Sequence, residues 1–169
     1  MTKSKGNRID FHTHILPQMD DGSRSVEMSV QMLRVSWEQG AYCVVLTPHF
    51  YASGDYPEHF LAKREWRLQE LYARRGSMLP VLIPGAEVQY FDGLTGMKEL
   101  PQMRIGKSPA LLIEMPFCKW TGRMIDDILE LNHRAGYRVI LAHIERYLGE
   151  QKISTVQKLA EEGILMQAN

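Results

Sequence analysis

Ala41-Tyr42-Cys43-Val44-Val45-Leu46-Thr47-Pro48-His49 is the stretch whose reading decides the fold. Its apolar block, Tyr42 to Leu46, is continuous rather than alternating, and a short run of that kind reads as a strand buried on both faces, as in parallel sheets. Parallel neighbours must be joined by crossovers, usually helices. Helical signals stand on both sides of the block. Upstream, Val26, Val30, Leu33 and Trp37 recur at helical spacing until Gly40 ends the run, and Arg8 to His14 before them reads as a short strand. Downstream, Pro57 to Arg75 reads as a polar helix closed by Gly76.

The alternation continues toward the C-terminus. Leu79 to Tyr90 reads as a third strand, followed by an irregular, glycine-containing connection from Asp92 to Pro109. Ala110 to Phe117 is a fourth strand. Arg123 to Ala135 is a helix with Ile125, Ile128 and Leu129 on one face, and Tyr137 to His143 is a fifth strand. Ser154 is expected to cap a helix that runs through Glu162 and stops at Gly163, and Ile164 to Asn169 begins a sixth strand. Strands and helices in this order imply a parallel sheet covered by helices, open or closed into a barrel, and periodicity leaves both open.

The 169 residues, 44% of them hydrophobic, suit one compact globular domain over 8–169 behind a polar N-terminal tail, 1–7. Twenty basic and twenty acidic residues cancel, so no whole-molecule field exists to hold nucleic acid or an anionic membrane. The tail has no apolar signal core, and no later apolar run nears the ~20 residues that span a bilayer. No membrane insertion and a cytoplasmic location are the expectations. Cys43 and Cys118 form no Cys-x-x-Cys pair and read as buried thiols.

Nearly every expected strand delivers a metal-ligand side chain at or near its C-terminal end: His12 and His14, then His49, Glu87, Glu114 and His143. In parallel α/β proteins that end is where sites are built. His12 and His14, two residues apart, share one face of a strand and can reach one cation. Glu87 and Glu114 lie in or beside apolar strand sequence, where a carboxylate is costly to desolvate without a cation or donor. Each residue alone has a plainer reading: an incidental His-x-His, a salt-bridged carboxylate, a hydrogen-bonded core histidine. The set is what points to metal. Asp20-Asp21-Gly22 falls in the loop after the first strand, whereas His59 and His133 fall on helices and are expected to have no role.

Asp10-Phe11-His12-Thr13-His14, Asp20-Asp21-Gly22, Thr47-Pro48-His49, Gly85-Ala86-Glu87, Ile113-Glu114 and Ala142-His143-Ile144-Glu145-Arg146-Tyr147 resemble, in order, the motifs of the polymerase-and-histidinol-phosphatase (PHP) family. The last block is similar to the branch of bacterial tyrosine phosphatases from capsule and exopolysaccharide operons. The resemblance implies a distorted (β/α)7 TIM-like barrel, incomplete at the C-terminus with about six strands present. It implies two to three divalent metal ions, manganese first and iron or zinc as alternatives. His12, His14 and Glu87 would hold the first metal, Glu87 with Glu114 and His143 the second, and Asp21 with His49 the third. Arg146 would be the catalytic phosphate-holding arginine, its planar fork suited to phosphate oxygens.

Metals clustered in this way lower the pKa of a bridging water to about 7 and stabilise charge on a transferring phosphoryl group. A bridging hydroxide is then the nucleophile. The implied function is hydrolysis of phosphotyrosine on a bacterial tyrosine kinase of polysaccharide export. Neither cysteine is followed by arginine six residues later, so no Cys-x5-Arg loop competes with this reading. The alternatives are a small-molecule phosphatase of histidinol-phosphatase type, and a catalytically impaired remnant that acts by binding. The family's later Asp-x-His motif has no counterpart before Asn169. Truncation is therefore expected, with the third metal weakly held. An uncovered sixth strand also makes a homo-oligomer an expected way to close the edge.

Overall fold

A computed structural model describes residues 8–76 and 80–169. The expected tail, residues 1–7, and Leu79 at the start of the expected third strand lie outside these residues. The described residues divide into two compact units, the first ending at Ala86 and the second spanning Glu87–Asn169.

In the first unit, β1 (Arg8–Thr13), α1 (Val26–Glu38), β2 (Ala41–Leu46), β3 (His49–Phe50), α2 (Pro57–Arg74) and β4 (Val81–Pro84) follow one another. β2 lies between β1 and β4 and is parallel to both. The continuous apolar block is thus the central strand, buried from Cys43 to Leu46. Leu33 on α1 and Leu68 and Leu71 on α2 close over it, together with Ile15, Leu16, Val44, Leu46 and Leu82. α1 starts where the Ser25 hydroxyl accepts from the Met28 N–H at 3.1 Å. It stops before Gly40, whose positive φ of 91° turns the chain into β2 at little steric cost.

The second unit contains β5 (Glu87–Gln89), β6 (Ala110–Glu114), α3 (Gly122–His133), β7 (Arg138–Leu141), α4 (Ile153–Glu161) and β8 (Leu165–Met166). β5, β6, β7 and β8 run parallel, side by side in chain order. Leu111, Leu112, Ile113, Val139 and Leu141 are fully buried. The connection between β5 and β6 holds single 3-10 turns at Leu94–Gly96 and Leu100–Gln102 and no long helix, as its irregular sequence implies.

Several details differ from the sequence reading. Among the described residues eight strand segments stand where about six strands were expected, because two of the strands are split. Thr47-Pro48 divides β2 from β3, since proline offers no N–H to a ladder, and Gly85-Ala86 divides β4 from β5. The last helix is capped by Lys152 rather than Ser154, starts at Ile153 and has no side-chain cap bond. Cys43 is buried as expected, but Cys118 is exposed in the turn after β6. No helix among the described residues is long and apolar enough to cross a membrane.

Because Leu33 is fully buried against the central strand, Leu33→Ala should cost ~2–5 kcal/mol, and loss of the Ser25 cap in Ser25→Ala only ~1 kcal/mol. Urea titration followed by circular dichroism should rank the two in that order.

Candidate metal centre

The end of β1 is fixed by two buried threonines. The Thr13 N–H donates to Thr47 Oγ1 at 2.9 Å, the Thr13 hydroxyl donates to the Val45 carbonyl at 2.7 Å, and the Thr47 N–H donates to the Thr13 carbonyl at 2.9 Å. With Thr13 pinned inward against β2, its neighbours His12 and His14 project together on the other side. Their Nε2 atoms face each other at 3.3 Å.

The loop that follows supplies the partner that sets His14. Asp20 Oδ2 lies 2.7 Å from His14 Nδ1 and accepts from the His49 N–H at 2.9 Å, while Oδ1 accepts from the Gly22 N–H at 3.0 Å. Burial alone would raise the Asp20 carboxyl, but the bond from His14 and the two backbone N–H groups outweigh it and hold the group below its ordinary value. An ionised Asp20 makes Nδ1 of His14 the protonated nitrogen. Nε2 then presents its lone pair toward His12, the arrangement that orients metal-binding imidazoles.

His49 begins β3 with its ring 4.5 Å from that of His14 and stacked on Tyr51 at 4.9 Å. One ligand atom each from His14, Asp21 and His49 lie within 4.8 Å of one another. Two imidazoles and a carboxylate at that spacing are a donor set that fits a divalent transition metal. Gly22 makes this geometry accessible. A Cβ there would overlap the carbonyl oxygen and Cβ of His14, so the loop can pass over β1 only without a side chain. Beside His12 and His14, a cavity of about 570 Å³ opens between β1 and α1, lined also by Asp10, Met28, Met32 and Val35.

The second unit holds the other predicted ligands. His143 Nε2 lies 3.0 Å from Glu87 Oε1 and 3.2 Å from Glu114 Oε1, and all three side chains are almost wholly buried. Burial would lower the His143 pKa, but hydrogen bonds to Glu114 and Glu87 and their charges dominate and push it up to about 9. The two carboxylates that raise it make this a pocket that favours positive charge. Two buried carboxylates still exceed one imidazolium, and a divalent cation with a neutral imidazole would balance them. This donor set fits a metal as well. Glu114 ends β6, as the sequence reading expects, whereas Glu87 opens β5 instead of ending a strand.

His143 lies just past β7 in a left-handed conformation, φ 35°, ψ 54°. Its N–H donates to Gln167 Oε1 at 2.7 Å, and the next N–H, of Ile144, donates to the Gln167 carbonyl at 2.8 Å. Arg146 follows on the 3-10 turn Ile144–Tyr147, exposed, with its guanidinium over the Phe117 ring. Buried Tyr147 accepts from the Met115 N–H at 3.0 Å, and burial followed by the Glu114 charge raises its pKa, so the phenol stays neutral. His59, bonded to Asp55, and His133, near Glu162, lie on helix surfaces as expected.

The sequence model for capsular polysaccharide synthesis proteins CpsB/CapC matches residues 8–169. This chain belongs to the CpsB/CapC family. The PHP-type capsular branch that its motifs resemble is thereby shown. Among CpsB/CapC relatives, tyrosine-protein phosphatase CpsB of Streptococcus pneumoniae is 32% identical over 165 residues, covering 95% of this chain and 67% of the relative. Tyrosine-protein phosphatase YwqE of Bacillus subtilis (strain 168) is 30% identical over 141 residues, covering 82% of this chain and 54% of the relative. The chain thus spans about half to two thirds of the length of the curated relatives it matches. In the solved structures of YwqE and S. pneumoniae CpsB, described as unique metal-dependent tyrosine phosphatases, the matched chain gives a TM-score of 0.78 at 25% identity. The match covers 95% of this CpsB/CapC chain and 66% of that one.

Sequence reading placed Asp21 among the ligands but gave Asp20 no task. Two adjacent acids in a turn carry no signal that distinguishes a ligand from the group that orients one. Asp20→Asn should weaken binding of Mn(II) by ~10–100-fold, and Gly22→Ala should weaken it at least as much, both measured by titration calorimetry. Unchanged affinity in both variants would mean that the Asp20 network does not support a metal.

Proposed function

We propose that this chain is a metal-dependent protein-tyrosine phosphatase built on a distorted (β/α)7 PHP-type barrel. Its substrate in this reading is phosphotyrosine on a bacterial tyrosine kinase that controls capsule or exopolysaccharide synthesis. The observation that carries the reading is the buried Glu87–His143–Glu114 cluster, with Arg146 on the turn just beyond it, in a chain of the CpsB/CapC family. The names of the CpsB and YwqE relatives support tyrosine phosphate as the substrate class.

In this reading His12, His14 and Glu87 would hold one ion, Glu87, Glu114 and His143 a second, and Asp21 with His49 a third. When bound, such ions supply a hydroxide nucleophile near neutral pH and offset charge on the transferring phosphoryl group. The chain's own residues prepare that chemistry. Asp20 keeps the Nδ1 proton of His14 in place, so Nε2 remains the donor nitrogen. Gln167 holds the backbone turn that aims His143 toward the two glutamates. Arg146 grips phosphate oxygens through its planar N–H fork. Cys43 and Cys118 have no part in the reaction, since neither is followed by the arginine of a Cys-x5-Arg loop.

Three substrates given to the manganese-loaded chain test this: a phosphotyrosine peptide, a phosphoserine peptide and histidinol phosphate. Phosphotyrosine should be hydrolysed fastest, EDTA should abolish turnover, and Arg146→Ala should lower the rate ~100–1,000-fold. The Cys43→Ser/Cys118→Ser double variant should keep full rate. Preference for histidinol phosphate would move the assignment to small-molecule phosphatases, and bound manganese without any turnover would leave only a binding role.

A further inference from the structure

Phe117, in the turn after β6, is 49% exposed, although a ring of that size would ordinarily be buried. What surrounds it accounts for that position. The guanidinium carbon of Arg146 lies over the ring, 4.3 Å from its centroid. The rings of His143 and Tyr147 lie nearly parallel to it, at 5.9 Å and 20° and at 5.2 Å and 24°. Tyr147 is itself fixed by the Met115 N–H and by the edge of Trp120 at 5.2 Å, whose indole N–H donates to the Pro116 carbonyl at 3.2 Å. Phe117 therefore rests on a rigid base. Among the described residues the contact of the Arg146 guanidinium is this ring rather than a carboxylate.

That choice of partner has chemical content. An arginine that must take up phosphate cannot be held by a carboxylate, which would occupy its N–H fork and cancel its charge. An aromatic ring holds the cation through its face and leaves the in-plane donors directed outward. We propose that Phe117 is a positioning residue for Arg146: its ring sets the guanidinium beside His143, with the N–H fork turned toward the incoming phosphate. The inference rests on the phosphatase reading, in which Arg146 is the phosphate-holding group.

Calorimetric titration of inorganic phosphate into the manganese-loaded chain tests it without requiring turnover. Phe117→Leu should weaken phosphate about fivefold, as expected for loss of one cation–π contact, with manganese content unchanged. Phe117→Tyr should retain wild-type affinity. In an Arg146→Ala background, Phe117→Leu should have no further effect, because the ring acts through the guanidinium. An equal loss in that background, or wild-type affinity in Phe117→Leu alone, would overturn the proposal. So would loss of manganese from Phe117→Leu, which would place the ring's action on His143. Phe117→Met, close in volume, takes the place of the leucine variant if that one does not fold. Failure of the wild-type chain to bind phosphate when loaded would instead remove the phosphatase reading, and this inference with it.

Discussion

A single buried carboxylate holds the first unit's candidate ligands, His14 and His49, in register. Asp20 ties its own loop, through Gly22, to the end of β1 through His14 and, across 29 residues of chain, to the start of β3 through His49. A carboxylate taken out of water is costly unless such donors surround it, so the same bonds that keep Asp20 ionised oblige those segments to stay together. The threonine pair at residues 13 and 47 fixes where β1 ends, and Asp20 fixes which nitrogen of His14 looks out from it.

The second unit solves the same problem with different chemistry. Its candidate ligands include buried carboxylates that attract positive charge, and its orienting residue is Gln167, whose side-chain oxygen accepts from the His143 N–H and whose backbone carbonyl accepts from the Ile144 N–H. The first unit instead gathers three imidazoles and orients one of them with an anion. Hard, anionic donors in one cluster and imidazole-rich donors in the other would bind cations with different strengths and different dependence on acidity.

Much of this was legible in the residues. The unbroken Tyr42–Leu46 block had to be a buried strand, because a half-exposed strand would alternate, and it lies at the centre of β1, β2 and β4. Helix ends at Gly40, Gly76 and Gly163 follow from the positive φ that only glycine adopts cheaply. The splitting of two strands was missed because an apolar pattern continues across Thr47-Pro48 and Gly85-Ala86, while the ladder, which needs N–H donors and extended backbone, does not. The candidate ligand side chains could be named from their residue types in and beside apolar strand sequence, although His49 and Glu87 begin strands instead of ending them. Their supports could not be, since the spacing of Asp20, Gln167 or Phe117 along the sequence carries no trace of what each one touches.

His143 carries a further consequence. It is one of two non-glycine residues among those described that lie at positive φ, a conformation that costs an ordinary L-residue ~1–3 kcal/mol. Glycine or asparagine would relieve that cost, so any effort to make this protein more heat-resistant by relaxing its backbone is drawn to a position whose imidazole lies between Glu87 and Glu114. Robustness and chemistry compete here at one Cα atom, and the folded state retains the unfavourable torsion because the surrounding hydrogen bonds leave the chain no other way to present that ring.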